Sequence, residues 1–328
     1  MQGGASTPVD GARAGARVLT LLANPLHGRI LRAHAAGPLR AAELKEMAGW
    51  PAQTTLRAAI GTLRDYGLLA RREVSDMPYG VATELTPAGH EVLFVAEVVA
   101  RWLGKAQPPI ALDSTKAKTA VKSLAGGWNT KMVRELAFEP ASLTDLDRRI
   151  PEVSYPSLER RLTRMRDTRQ VTPSPAEGRG TPFEVTEWLR HSVPPICAAV
   201  RCERRYMPEQ SALVTAVEIE ACFLLALPLI LLPESADGTC TLSVLPEAGE
   251  NGETEPEPAG VDVTVEAGEI VGCAPEVDHR APAYALGTPM TWLNAVIEGH
   301  FEGLRFGGKN PQLTADLVNG LHLSLFGE

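Results

Sequence analysis

Residues 29–69 align without a gap onto residues 131–171, an offset of 102. An internal repeat of this length restricts the available folds more than any compositional feature. Seven pairs are identical: Arg32/Arg134, Ala35/Ala137, Pro38/Pro140, Leu44/Leu146, Leu56/Leu158, Arg64/Arg166 and Asp65/Asp167. Apolar positions recur in step, as in Ile30/Met132, Leu31/Val133, Ile60/Leu162, Leu63/Met165 and Leu69/Val171. A shared apolar periodicity means that both stretches bury the same faces, so they read as a tandem duplication of one supersecondary unit. At 328 residues the chain has room for this pair and one more domain, since domains run to roughly 100–200 residues.

Both copies follow one local pattern. An apolar-periodic helix (18–35, and 125–137) meets a break at Pro38 or Pro140. A short helix follows, LRAAELKEM or SLTDLDRRI, and in the second copy Ser142 precedes Asp145 at N-cap spacing. A turn through Gly49-Trp50-Pro51, or Pro151-Glu152-Val153, leads to a third helix with Leu56, Ile60 and Leu63, or Leu158, Leu162 and Met165, on one face. Two helices joined by a short turn, the second polar on its outer side, describe a helix-turn-helix. Two short strands come next in each copy (LLARREV and VATELT; QVTP and FEVT), then another apolar helix over 88–103 or 188–206. A hairpin directly after a helix-turn-helix is a wing.

With these elements in place the stretch 17–207 resembles winged-helix regulators of the MarR and HxlR types. The first copy carries LTPAG after its wing; the second carries GGWNTKMVREL and SYPSLERRLTRM, which resemble the first and recognition helices of HxlR-type proteins. It departs from that pattern after its wing, where Val185-Thr186-Glu187-Trp188-Leu189 replaces LTPAG. The resemblance implies double-stranded DNA as partner. A helix in the major groove offers donors from its outer face while phosphate contacts fix its register. In the second copy that face should present Tyr155, Ser157, Glu159, Arg160 and Arg164, with Arg161 nearer the buried edge. In the first it should present Gln53, Thr54, Arg57 and Gly61, with Arg64 adding charge. Arg71 and Arg72 serve the first wing, and Arg179 at the tip of the second suits a narrow minor groove. Any one of these arginines reads equally well as a solvated surface charge; as a set in this pattern they read as a surface for a polyanion.

Past Tyr206 the composition changes. Residues 1–207 hold 29 Lys and Arg against 21 Asp and Glu, whereas residues 208–328 hold 3 against 19. Such a split fits a polyanion for one part of the chain and something else for the other, and fits equally an acidic solubilising surface next to an ordinary domain. Residues 211–232 read as a helix that becomes apolar all round and ends near Pro228 or Pro233, 239–245 as a strand, and 246–260, with its Glu and Pro, as an unpacked loop. Two alternating strands around Gly268 follow, then a helix with Thr288 as cap and Pro289 at its first position, a strand at EGLRFGG and a terminal helix. This order resembles the sterol-carrier-protein-like fold, which implies an apolar tunnel for a hydrophobic guest. Its candidate walls are Phe223, Leu224, Leu227, Leu231, Trp292, Val296, Ile297, Phe301, Phe306 and Leu317, each of which also fits plain core packing.

The expected fold class is therefore α+β: two tandem winged helix-turn-helix domains (17–107 and 108–207) after a disordered tail (1–16), then an acidic sterol-carrier-like α/β sandwich (208–328). The expected function is a DNA-binding transcriptional regulator whose two winged helices form a pseudo-dimer within one monomeric chain, modulated by a hydrophobic small-molecule effector. The competing expectation is a hydrophobic-ligand carrier or sequestering protein whose helix-turn-helix units make only protein contacts, and the acidic domain reads equally as a dimerisation cap. Neither an enzyme nor a cofactor is expected: the seven His form no close metal pair, GGKN lacks P-loop spacing, and no nucleophile elbow occurs. Five irregularly placed Cys, no secretory pattern in the first residues and no long apolar run point to a reduced, cytoplasmic protein with no membrane partner.

Overall fold

Pro25 decides how the first copy begins. The periodic stretch expected as one helix over 18–35 is two, α1 (Ala16–Leu22) and α2 (Pro25–Ala33), in a computed structural model that describes residues 13–73, 81–126, 130–175, 180–246, 259–278 and 280–327. The Asn24 side chain caps α2 by accepting from the Leu26 N–H, and Pro25 at the first helical position has no N–H to leave unpaired. The start of α1 is capped from afar, because Gly15 has no side chain to offer. The buried Glu203 carboxylate accepts the backbone N–H groups of Gly15 (2.9 Å), Arg17 (2.7 Å) and Val18 (3.0 Å). An anion there also meets the positive end of the helix dipole. Burial pushes the Glu203 carboxyl above its ordinary range, against the pull of those three bonds.

Next come β1 (Leu39–Arg40), α3 (Ala41–Met47), α4 (Gln53–Asp65), β2 (Leu69–Glu73), β3 (Val81–Leu85) and α5 (Pro87–Gly104). The strands form an antiparallel sheet in the order β1-β3-β2. The sequence reading missed two elements: β1, a two-residue strand beside Pro38, and α6 (Thr115–Gly126), which packs on α1 and α2.

The same element order recurs in α7 (Thr130–Phe138), α8 (Leu143–Arg149), α9 (Tyr155–Asp167), β4 (Val171–Pro173) and β5 (Phe183–Val185). Here α8 and α9 begin and end 102 residues after α3 and α4. An isolated Ala141–Phe183 bridge occupies the place of the β1–β3 pairing. Leu69 pairs with Leu85 but Val171 with Val185, so the second hairpin closes two residues sooner. After both hairpins the local geometry is the same, although of LTPAG only the Thr is kept in the second copy. The Thr86 hydroxyl donates to the Gly67 carbonyl (2.6 Å) and accepts from the Gly89 N–H (3.0 Å). The Thr186 hydroxyl donates to Arg169 (2.9 Å) and accepts from Leu189 (3.2 Å) in the same way. The helix expected over 188–206 is interrupted, giving α10 (Glu187–Arg190) and α11 (Val193–Tyr206). Pro194 and Pro195 fall in the first turn of α11, where their missing N–H groups cost nothing.

The remaining elements are α12 (Ala216–Ala226), β6 (Gly238–Val244), β7 (Ala259–Glu266), β8 (Glu269–Ala274), β9 (Ala283–Gly287), α13 (Pro289–Glu298), β10 (Arg305–Gly308) and α14 (Pro311–Leu325). They build a five-stranded sheet in the order β10-β9-β6-β7-β8, antiparallel except for β6 beside β9. Of the two ends expected for α12, near Pro228 or near Pro233, the first is the observed one: the helix ends at Ala226 and Pro228 sits in a 3-10 turn, while its start is at Ala216 rather than 211. The sequence reading also missed β9, whose buried positions are Ala283, Ala285 and Gly287, residues with little strand preference, held against α14. Of the stretch expected as an unpacked loop, 247–258 lies outside the described residues, while Ala259 and Gly260 pair with Val244 and Ser243. Gly260 admits no side chain: a Cβ there would lie 2.3 Å from the Leu242 carbonyl oxygen.

The chain forms two compact units, one of residues up to Gly126 with Ala198–Ala212, the other of Gly127–Cys197 with Leu213–Glu328. This division differs from the expected boundaries at 107 and 207. The helix α6 belongs to the first unit, and α7, α8, α9 and the β4–β5 hairpin share a unit with the five-stranded sheet.

Candidate nucleic-acid interface

In α9 the inward face is Leu158, Leu162 and Met165, all buried, while Tyr155, Glu159, Arg160, Thr163 and Arg164 are exposed. Ser157 is half-buried; its hydroxyl accepts from the Arg160 guanidinium (3.2 Å) and from the Ser154 hydroxyl (3.1 Å). That contact lays the Arg160 side chain along the helix surface. Arg161 is half-buried, at the edge of the packed face. In α4 the buried residues are Leu56, Ala59 and Leu63, with Ile60 half-buried; Gln53, Thr54, Arg57 and Arg64 are exposed and Gly61 half-buried. Arg71 is exposed on β2, and the exposed Arg72 is paired with Glu84 across the hairpin (2.9 Å). Arg179 and the first wing's tip, 74–80, lie outside the described residues.

Many other cations of the second copy are neutralised by its own fold. Arg148 pairs with Asp145 (2.6 Å), Lys131 with Glu152, and Arg149 with Glu135 (3.6 Å) and Glu139. The hydroxyl and N–H of Ser142 hold Asp145 in a capping box and keep its carboxyl below the usual carboxylate range. A charge count along the sequence cannot separate these paired cations from the outward arginines of α9.

The second unit also contains a polar network that sequence reasoning missed. Arg134 on α7 donates to the buried Glu220 of α12, to Glu135 (2.9 Å) and to the Pro275 carbonyl (3.4 Å). Glu220 also accepts the N–H of Gly260 (3.0 Å). Arg190 donates to the Leu224 carbonyl (2.8 Å) near the end of α12 and to Ala137 (3.5 Å) near the end of α7, where a cation meets the negative ends of two helix dipoles. Burial holds the Arg190 guanidinium below its ordinary pKa. Nothing in the local sequence marks Glu220 for burial, because its partner Arg134 lies 86 positions away along the chain.

The second unit also has a wholly apolar, partly open cavity lined by α11, α12, α13 and α14. Of the expected walls, Phe223, Trp292 and Val296 line it, and Phe223 meets Trp292 edge-on at 4.8 Å. Val193, Cys197, Ile219, Cys222 and Leu321 complete much of the rest. Leu224, Leu227, Ile297 and Leu317 are buried without lining it, and Phe301 and Phe306 are half-buried. Leu231 corrects its own expectation: it is 83% exposed, because the chain is extended past the 3-10 turn and sends Ile230 inward and Leu231 out. The cavity holds about 20 Å³, room for roughly one water-sized group. Among the described residues no group of His, Cys, Asp or Glu is placed to hold a metal ion, and no helix is long and apolar enough to cross a membrane.

Residues 21–110 match the family described as HxlR-like helix-turn-helix. The match falls on the first copy, from α1 through the hairpin and α5, whereas the sequence motifs of that type had been read in the second. A comparison with curated proteins returns no match. This match supports a DNA-binding transcriptional regulator with DNA as its partner.

Proposed function

We propose that this chain regulates transcription by reading duplex DNA with two winged helices carried in tandem, one matched to the HxlR-like family and one built on the same element order. The observation that carries this reading is the recurrence of α3-α4 as α8-α9 at a constant offset, each pair with a polar outer face and a following hairpin. Two such helices in one chain act as a pseudo-dimer and read half-sites about 34–36 Å apart. Their outer faces differ, so the site they read is asymmetric. Affinity for a duplex is expected to fall steeply with salt, since log K falls by roughly 0.9 per phosphate neutralised for each decade of salt. A fluorescence-anisotropy titration across salt concentrations tests this; no binding even at low salt would favour the carrier reading, in which the helix-turn-helix units contact proteins.

The sterol-carrier-like reading of the sheet module supplies the regulatory half of the proposal. A hydrophobic guest enters between α11 and α12–α14, and a guest larger than the present cavity must move one of these helices. It changes DNA affinity only if it prefers one arrangement over another. Val296→Ala is expected to enlarge the cavity and strengthen binding of a neutral naphthylamine dye, while Val296→Trp fills it and removes that binding. Thermal shift with and without the dye reads both. Equal dye binding by both variants would place the guest elsewhere.

A further inference from the structure

Trp50 is a large aromatic with a left-handed backbone (φ 55°), directly before a proline and 67% exposed. A bulky residue in that region is a genuine outlier, and residue positions before proline are restricted further. The helix end itself accounts for part of the geometry. Past α3, the Trp50 N–H donates to Lys45 (2.9 Å) and the Gly49 N–H to Glu46 (3.0 Å), the two bonds of a Schellman cap, with Gly49 left-handed as that cap requires. The cap calls for a glycine at position 49; it does not call for a second left-handed residue or an exposed indole at position 50.

The repeat shows what is unusual here. Across the offset of 102, Arg29 corresponds to Lys131 and Trp50 to Glu152. In the second copy Lys131 and Glu152 form an ion pair, so the helix-turn-helix turn is neutral. In the first copy the carboxylate is replaced by an indole. Arg29 packs against the turn, with its Nη1 where a side chain on Gly49 would stand (2.9 Å), and its buried Nε has no hydrogen-bond partner among the described residues. The Lys45 ammonium lies 5.7 Å from the centre of the Trp50 ring. Two cations and an exposed aromatic thus stand together just before α4, whose Gln53, Thr54 and Arg57 face outward.

We infer that the turn Gly49-Trp50-Pro51, with Arg29 and Lys45, is a DNA-backbone clamp present in the first copy alone: the cations take a phosphate and the indole packs on the adjoining deoxyribose. This rests on the DNA-reading function proposed above. A flat apolar ring suits the sugar face and a cation the phosphate, and together they fix the register of α4 without reading sequence.

The test uses the full-length chain, a fluorescein-labelled duplex of about two helical turns, and Trp50→Gly as the main variant. Glycine tolerates the left-handed backbone, so the variant should melt at or above the temperature of the parent. Its affinity should nevertheless fall about fivefold, the worth of roughly 40 Å² of apolar contact. The dependence of log K on log salt should keep its slope, because no phosphate-neutralising charge is lost. Arg29→Ala should instead reduce that slope by about one. Unchanged affinity of Trp50→Gly, with the parent binding normally, would overturn the clamp and leave the regulator reading intact. A lowered melting temperature would make Trp50 a packing residue and overturn it as well. Failure of the parent to bind any duplex at low salt would defeat both.

Discussion

Replacing Arg160 and Arg164 together by Ala is expected to weaken duplex binding more than replacing Arg57 and Arg64 together. Each base-edge pair is worth about 1–3 kcal/mol, so the first double variant should lose at least about 2 kcal/mol of binding free energy. Two opposed effects decide the ranking. Residues 154–169 hold five arginines against two carboxylates, and Arg160, Arg164, Arg166 and Arg169 are exposed. The unit that carries them is acidic as a whole, with 14 Lys and Arg against 28 Asp and Glu in Gly127–Cys197 and Leu213–Glu328. At physiological salt the screening length is about 8 Å, so charges at the helix surface outweigh those further off. The ranking should therefore hold near physiological salt and narrow as salt is lowered and the distant carboxylates are felt. Anisotropy titrations of both double variants at two ionic strengths measure this. Equal losses at both would show that charge density does not rank the helices, and a larger loss for Arg57 and Arg64 would make the first copy the principal reader.

The second large effect concerns stability. Glu220→Leu is expected to destabilise the second unit by about 3 kcal/mol, the cost of breaking a buried ion pair by removing one partner. The carboxylate is 4% exposed and answers both Arg134 and the Gly260 N–H, so its loss removes one of the cation's two carboxylates and leaves a backbone donor without its acceptor. Arg134 keeps Glu135 and the Pro275 carbonyl, which holds the cost near the lower end of such cases. Glu220→Gln retains an acceptor for Gly260 and should cost less. Arg134→Met combined with Glu220→Leu should recover part of the loss, because no isolated charge remains. Urea unfolding of the three variants gives the comparison; a change below about 1 kcal/mol for Glu220→Leu would show the network to be solvated. Because α7 and α12 share these contacts, a fragment beginning at 208 would leave α12 without the helix it packs against.

Much of the local structure follows from the sequence alone, for reasons that are local themselves. Helix and strand periods are written in which positions are apolar, so Leu158, Leu162 and Met165 identify the buried face of α9, and with it the outward arginines. The N-caps Ser142 and Thr288 depend on residues three positions away, and the repeat offset of 102 shows itself in the positions of α8 and α9. What depends on partners far along the chain could be decided only by the tertiary structure. Glu203 caps α1 from 188 positions beyond Gly15, Glu220 is buried because Arg134 and Gly260 reach it, and β9 is a strand because β6 and α14 hold it. The physical difference is one of range: periodicity and capping are energies of neighbouring residues, whereas burial of a charge or of a weak strand is an energy of the assembled core, which no local pattern records.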